Sequence, residues 1–476
     1  LSFFDSHFSF LSPLLWIRLA FLYVKTVIFD TWKPLRQVLL RYTSKPTYKA
    51  YVLLIWFKVL KLENQGEIAI IGAGPVGCYT ALTLAKLGVA EKVTVFEEHE
   101  EVGVPSHCAG HLSLKSLKNL NIELPPKIIE NKIRGAIIYS PNNVKLELIT
   151  PKTITIVVNR ALFDKFLAEK AEKLGVKLYV KSKVKALLAN KNKIHGVIIA
   201  EKGKERKIMS KLVVDAEGSP GTLLKKASLP SPVSSKFVYG AQAEISNVKD
   251  LAEDLVEVYL GSKYAPGFFA WIIPRKNNTA KVGLAVKNGN PKEYLFKFIQ
   301  KHPIASEKLN RGKISKLAFH PIPLGGPISK TYWNNLLIVG DAASQVKPTT
   351  GGGVIFGMLC GRIAARVAYK AWKIQDFSEN LLGEYERLWK ARLGLNFEIM
   401  LYLRKLLDRM SDRQMDKLFK VTSKTGLVER LKNVEDMDFQ AKILLNVLRN
   451  PKNFPPILYF FLAGILSEGT RPTIDR

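Results

Sequence analysis

The chain has 476 residues, 72 Lys and Arg against 41 Asp and Glu, and a formal net charge of +31. An apolar content of 47% with 24% charged residues excludes a disordered, collagenous or polytopic membrane protein, and a length near 500 at roughly 100 to 200 residues per domain implies two to four domains. Cys78, Cys108 and Cys360 are too few for a disulfide framework and do not make a zinc set, so no metal is expected and the compartment is read as reducing. The charge points to an anionic neighbour: nucleic acid, a phospholipid surface or a phosphorylated substrate.

Residues 1–66 are rich in aliphatic and aromatic side chains with basic residues spaced among them. The run Phe8 to Phe29 approaches the length of a membrane span but holds Pro13, Arg18 and Lys25, and Tyr48 to Leu62 is flanked by Lys49, Lys58 and Lys61. An interfacial amphipathic segment fits this pattern better than a span. A start set too far upstream is the other reading, because the chain opens with Leu; no small-x-small site suggests a signal peptide.

From Glu67 the pattern becomes α/β. Glu67 to Ile71 is a short apolar run suited to a buried parallel strand, Pro75 to Leu87 has helical spacing, and Val93 to Phe96 reads as the next strand, opening a βαβ unit. Phe163 to Leu174 reads as a helix, Lys177 to Leu188 and Lys193 to Ala200 as paired strands, and Lys211 to Asp215 as a buried strand. Alternating runs between Phe237 and Val286 predict a mostly antiparallel sheet with a hairpin at Asn277-Asn278. Leu336 to Val339 restores the parallel pattern, a long helix follows Gly353, and from Phe377 the chain reads as helical. That region includes the amphipathic, basic stretch Leu393 to Met410 and the apolar run Ile457 to Ile465.

Gly72-Ala-Gly74-Pro-Val76-Gly77 lies between the first strand and helix. Gly72 permits the tight turn, Gly74 lets backbone approach a pyrophosphate, Gly77 lets helix and strand pack closely, and the helix N-terminus supplies free N–H groups. Glu97 closes the second strand, where its carboxylate can accept both ribose hydroxyls. An acid there disfavours a 2′-phosphate, so the nucleotide is of the FAD or NAD kind.

Arg160 opening a helix, Asp215-Ala-Glu-Gly218 after a strand, and Gly340-Asp341 leading to Pro348-Thr-Thr-Gly-Gly-Gly353 together resemble the FAD-binding pattern of the aromatic-hydroxylase-like flavoproteins. The resemblance implies FAD, with Arg160 near the diphosphate, Asp341 on the ribityl or phosphate region, and the N–H groups of Gly353 and Val354 at the flavin pyrimidine. Val184, Asp215 and Gly218 also join the cofactor site. A helix N-terminus at the pyrimidine would stabilise the charge of a reduced flavin. The implied fold is a Rossmann-like FAD-binding domain (67–235 and 331–376) with an inserted antiparallel substrate sheet (236–330) and a C-terminal helical region (377–476).

Pro105-Ser-His-Cys108-Ala-Gly and Phe268-Phe-Ala-Trp271-Ile-Ile-Pro274, followed by Val282-Gly283, resemble motifs of the geranylgeranyl reductase family. Phe269 stands where that family has Tyr and Ile273 where it has Phe, which brings the second motif toward flavin-dependent halogenases. The resemblance runs from about Glu67 to Trp372. It implies an FAD-dependent reductase of isolated double bonds in geranylgeranyl chains, on archaeal-type ether phospholipids. Phe269, Trp271 and Pro274 would line an apolar substrate tunnel. Cys108 would lie near the flavin, either as the proton donor opposite hydride delivery or as a small apolar residue packed on the ring. Ala109 and His111 would touch the cofactor beside it, with His107 on the other flank, while Cys78 and Cys360 read as core.

No second G-x-G-x-x-G is visible, so an external donor, NADPH or ferredoxin, would bind transiently. The alternatives are a flavin monooxygenase or halogenase and a membrane-associated quinone-reducing flavoprotein. A nucleic-acid partner finds no supporting motif. An anionic membrane surface is the expected partner, at the inner face of the cell membrane on the cytoplasmic side.

Overall fold

A computed structural model of the protein describes residues 67–466 apart from 191, 202, 426, 432–436 and 449–453. The expectations for residues 1–66 lie outside the described residues. The fold is the α/β architecture implied by the sequence: a parallel sheet, a large mostly antiparallel sheet and C-terminal helices.

The parallel sheet has the strand order Tyr332–Trp333, Leu336–Ile338, Leu212–Asp215, Ile68–Ile71, Val93–Phe96, Lys177–Tyr179, with only the first pair antiparallel. Its central strands are buried throughout because both faces are covered, as a parallel sheet requires. Alternation sorts the side chains. Ile68, Ile70, Val93, Val95, Leu212 and Val214 face the helices Pro75–Leu84, Arg160–Glu172 and Val354–Ile374. Ala69, Ile71, Phe96, Val213 and Leu336 face a three-stranded sheet, Lys183–Ala189, Ile194–Glu201 and Lys204–Met209.

Two features differ from the sequence reading. The run expected as one strand from Lys177 to Leu188 divides at residues 180–182. Lys181 takes φ 53°, and the N–H groups of Lys181 and Ser182 donate to the carbonyls of His99 and Glu97 at 2.8 and 2.7 Å. The first piece therefore edges the parallel sheet, and the second pairs with Ile194–Glu201.

The large sheet also begins earlier than Phe237. Its order is Lys313–Pro323, Phe237–Ser246, Thr279–Val286, Phe269–Arg275, Leu255–Leu260, Gly135–Tyr139, Lys145–Ile149. Gly135–Tyr139 joins by parallel pairing to Leu255–Leu260, a contact between segments over 100 residues apart that no local pattern announces. The hairpin at Asn277 and Asn278 is present, with φ of 60° and 50° at the two residues, the left-handed pair that such a turn needs.

One face of this sheet packs Ala243, Tyr259, Ile272, Val282 and Leu284 against Leu295 and Phe298 of the helix Pro291–Lys301. The other face is left for a cavity. Among the described residues no helix is long and apolar enough to cross a membrane.

Candidate active site

The cavity is about 1350 Å³ and continuous from the glycine turn to the large sheet. At the glycine end, Gly72 takes φ 89° and a Cβ there would come 2.6 Å from the Ala216 carbonyl oxygen. A Cβ on Gly77 would lie 2.0 Å from the Gly72 oxygen, so helix and turn meet only with glycine at this position, which packs behind the cavity wall. Gly74 has nothing within 4 Å of its Cβ position and opens onto the cavity with Val76. The helix Pro75–Leu84 has no side-chain cap and no acid in its first turn, which leaves its N–H groups for an anion.

Glu97 is held at this turn: its carboxylate accepts the Ala73 N–H at 2.8 Å and the His99 N–H at 2.9 Å, and it still lines the cavity. Val184 and Gly218 line the same end. Asp215 does not. It is fully buried behind the wall, where one carboxylate oxygen accepts the Glu217 N–H at 3.0 Å and the other has no partner among the described residues. Burial, and next Glu217, push its pKa up. The cavity is lined instead by Ala216 and Glu217, which the sequence reading did not single out.

Asp341 follows the strand Leu336–Ile338 on the left-handed turn of Gly340, φ 68°. Burial raises its pKa to about 6, opposed by Arg160. A Cβ on Gly353 would meet an Asp341 carboxylate oxygen at 2.4 Å, so glycine lets that carboxylate lie directly over the turn. Val354 opens the helix Val354–Ile374, which again has no side-chain cap and no acid in its first turn. Two uncapped helix N-termini thus face one cavity with Glu97 and Asp341. These donors and acceptors fit a dinucleotide with a phosphate-bearing middle, and the space over Gly74 admits it.

Arg160 is held by Asp164, with Nε to Oδ1 at 3.1 Å and Nη2 to Oδ2 at 2.8 Å. Burial opposes the guanidinium charge, but Asp164 holds it, so its pKa lies above the ordinary value. It lines the cavity, and its hydrogen bonds go to a carboxylate on its own helix.

Cys108 is half-buried on the cavity wall and accepts the Gly110 N–H at 3.4 Å, with Ala109 beside it. His111 reaches Thr155 Oγ1 at 2.6 Å, with its side chain open to the cavity. His107 stacks on His320 with ring centroids 5.5 Å apart, and burial lowers both pKa values. His320 was not legible in the sequence. It lies on Lys313–Pro323, whose inward residues Ala318, His320 and Ile322 become visible only once the sheet face is known. Cys78 and Cys360 are buried away from the cavity, and burial pushes both thiols up.

The cavity floor is the free face of the large sheet. At one side it carries His320, Gln242, Phe269 and Trp271; at the other it is wholly aliphatic, with Val256, Val258, Leu260, Ile138, Leu146 and Leu148. The Trp271 ring covers Gly283, where a Cβ would lie 2.5 Å from the indole, and its Nε1 donates to Gln242 at 3.4 Å. Pro274 is not part of this floor. It is buried, and its carbonyl accepts from Asn131 Nδ2 at 3.0 Å.

The roof comes from the C-terminal helices: Arg404 and Leu407 on Glu379–Arg409, and Met415, Leu418, Phe419 and Thr422 on Asp412–Lys424. A strap at residues 437–440 closes one side. Asp438 pairs there with Lys347 and accepts Ser116 Oγ at 2.6 Å, and Thr349 donates to Gln440.

Fold and site define an FAD-binding flavoprotein, and a family model described as FAD binding domain matches residues 65–359. The digeranylgeranylglycerophospholipid reductase of Methanocaldococcus jannaschii is 35% identical over 387 residues, covering 81% of this chain and 96% of that protein. A geranylgeranyl bacteriochlorophyll reductase-like protein of Thermoplasma acidophilum superposes with a TM-score of 0.73 at 26% identity, covering 83% of this chain and 98% of that one. A flavin-dependent brominase gives a TM-score of 0.61 at 18% identity over 81% of this chain and 98% of its own, a likeness of fold alone. The chain belongs to the geranylgeranyl reductase family of FAD-dependent oxidoreductases.

Proposed function

We propose that the protein hydrogenates the isolated double bonds of geranylgeranyl chains carried on an archaeal-type ether phospholipid. The observation that carries this reading is one continuous cavity: the dinucleotide cradle opens without partition onto an aliphatic floor of the kind a prenyl chain needs. Glu97 would hold the adenosine ribose, the two helix N-termini and Asp341 the middle of the cofactor, and Gly353 and Val354 its pyrimidine end. Bound FAD, once reduced, supplies the hydride.

The rest falls to this chain's own residues. An isolated alkene has no carbonyl to polarise, so the carbon opposite hydride delivery needs a proton placed at it with bulk water excluded. Cys108 stands on the wall at the polar side of the floor, and Arg160, fixed by Asp164, faces its sulfur. In this reading Cys108 gives the proton, Phe269 and Trp271 flank the double bond, and the roof helices exclude water. Reducing equivalents would reach the cofactor from NADPH or ferredoxin, and the enzyme would work at the cytoplasmic surface of the membrane that holds its substrate.

The test is anaerobic reduction of the protein followed by mixing with a geranylgeranyl lipid. Flavin reoxidation with the gain of one H2 per double bond, read by mass spectrometry, is the expected outcome. Reoxidation by oxygen alone, with oxygen or halide in the product, would overturn the reading.

A further inference from the structure

The helix Asp412–Lys424 has two faces of opposite character. Its inner face lines the cavity through Met415, Leu418, Phe419 and Thr422. Its acids also turn inward: Asp416 is buried and accepts the Asn142 N–H at 2.9 Å and Nδ2 at 2.6 Å, and Asp412 accepts the Ser262 N–H at 3.1 Å and Oγ at 2.8 Å. The outer face carries Arg413, Lys417, Lys420 and Lys424 at helical spacing, all exposed, and the exposed Lys405 and Arg409 end the preceding helix. Segregation of this kind leaves this helix acid-in and base-out.

The helix Phe454–Leu466 lies beside it. Its 13 residues include no charged side chain. One side packs on Tyr402, whose ring centroid is 6.0 Å from that of Phe461, and on Leu406, which a Cβ at Gly464 would approach to 2.6 Å. The other side turns Leu458 and Leu462 outward at 58% and 45% exposure, next to Tyr402 at 47%. Lys417 Nζ stands 5.2 Å from the Tyr459 ring, so the basic stripe borders the apolar helix directly.

A surface helix ordinarily presents polar residues to water, and this one does not. At roughly 20 Å it is too short for a hydrocarbon core of about 30 Å. An uncharged face that sinks to the acyl boundary, bordered by Lys and Arg at the depth of lipid phosphates, is the pattern of an interfacial helix.

We infer that the outer face of Asp412–Lys424 together with Phe454–Leu466 docks on an anionic phospholipid bilayer. The roof of the cavity then lies against the membrane. The occupant follows from charge: four exposed bases without an exposed acid on this helix's outer face, with Lys405 and Arg409 beside them and the nearby Asp408 paired to Arg404, require an anionic surface, and Leu458 and Leu462 require an apolar depth behind it. The inference rests on the prenyl-lipid reading, since a membrane-borne substrate gives the roof a reason to face the bilayer.

Flotation of the full-length FAD-loaded protein tests it, using vesicles of phosphatidylcholine with or without phosphatidylglycerol. The wild type is expected to float with the anionic vesicles and to release at high salt. Combined Arg413→Glu, Lys417→Glu, Lys420→Glu and Lys424→Glu substitution is expected to weaken binding by at least about tenfold and to abolish the salt effect. Leu458→Ser with Leu462→Ser is expected to weaken binding while leaving the remainder salt-sensitive. Unchanged flotation of both variants overturns the inference. So does a shift of the serine variant from dimer to monomer with unchanged flotation, which would assign the face to a second copy. Turnover of detergent-dispersed geranylgeranyl lipid by the wild type reads the reductase proposal separately: if it fails while the flotation pattern holds, the docking face stands and the substrate assignment falls.

Discussion

Cys108 was legible because its motif is local, but its setting was not. The sequence offered a cysteine flanked by histidines; the fold adds Arg160, brought in on the first turn of Arg160–Glu172 and locked by Asp164 one turn on. A proton donor predicts that Cys108→Ala slows single-turnover reduction of the lipid by about 100-fold or more while FAD stays bound, since a positioned acid contributes on that scale. An unaltered rate would make the residue a packing group. Asp341 gives a prediction of opposite kind. Its folded pKa of about 6 lies above the ordinary carboxyl value of 3.8, so its contribution to stability is fully present below 3.8 and lost as pH rises through 6. Asp341→Asn is therefore expected to stabilise the cofactor-free protein at pH 7 by up to about 3 kcal/mol and to flatten this part of the pH profile. Thermal melts between pH 4 and 8 check it, and parallel profiles for the two proteins would refute it.

At the scale of elements, what the sequence made readable was what is local. Gly72 to Gly77, the strands beside them and Glu97 form one continuous βαβ unit, and each residue there does its work with neighbours close in the chain. His320, Gln242 and the strand Gly135–Tyr139 matter only through partners far along the chain, so alternation alone gave no reason to single them out. The strap at residues 437–440 is a similar case. Asp438 reaches Lys347 and Ser116, and Lys347, then Ser116 and His111, draw its pKa down against the cost of burial. Asp438→Asn strands the Lys347 ammonium in a largely buried place, which costs about 3 kcal/mol where a buried pair is broken from one side. Faster amide exchange in residues 437–448 and easier access of oxygen to the reduced flavin are expected. Exchange identical to the wild type would show that the strap is held by other contacts.

At the scale of the molecule, the large sheet does two jobs with its two faces. One is closed by the helix Pro291–Lys301, and the other is the floor on which the proposed chemistry takes place. The strands of that floor run side by side at about 4.8 Å, and a single isoprene repeat is of similar length. A prenyl chain laid across the strands is thus nearly commensurate with them. Val256, Val258, Ile138, Leu146 and Leu148 offer no polar mark to fix its position, so advancing the chain by one repeat exchanges one aliphatic contact for another. The enzyme would then act as a ratchet without teeth, moving successive double bonds past one fixed polar edge. Time courses are expected to show a ladder of partly saturated chains rather than a jump from substrate to fully saturated lipid.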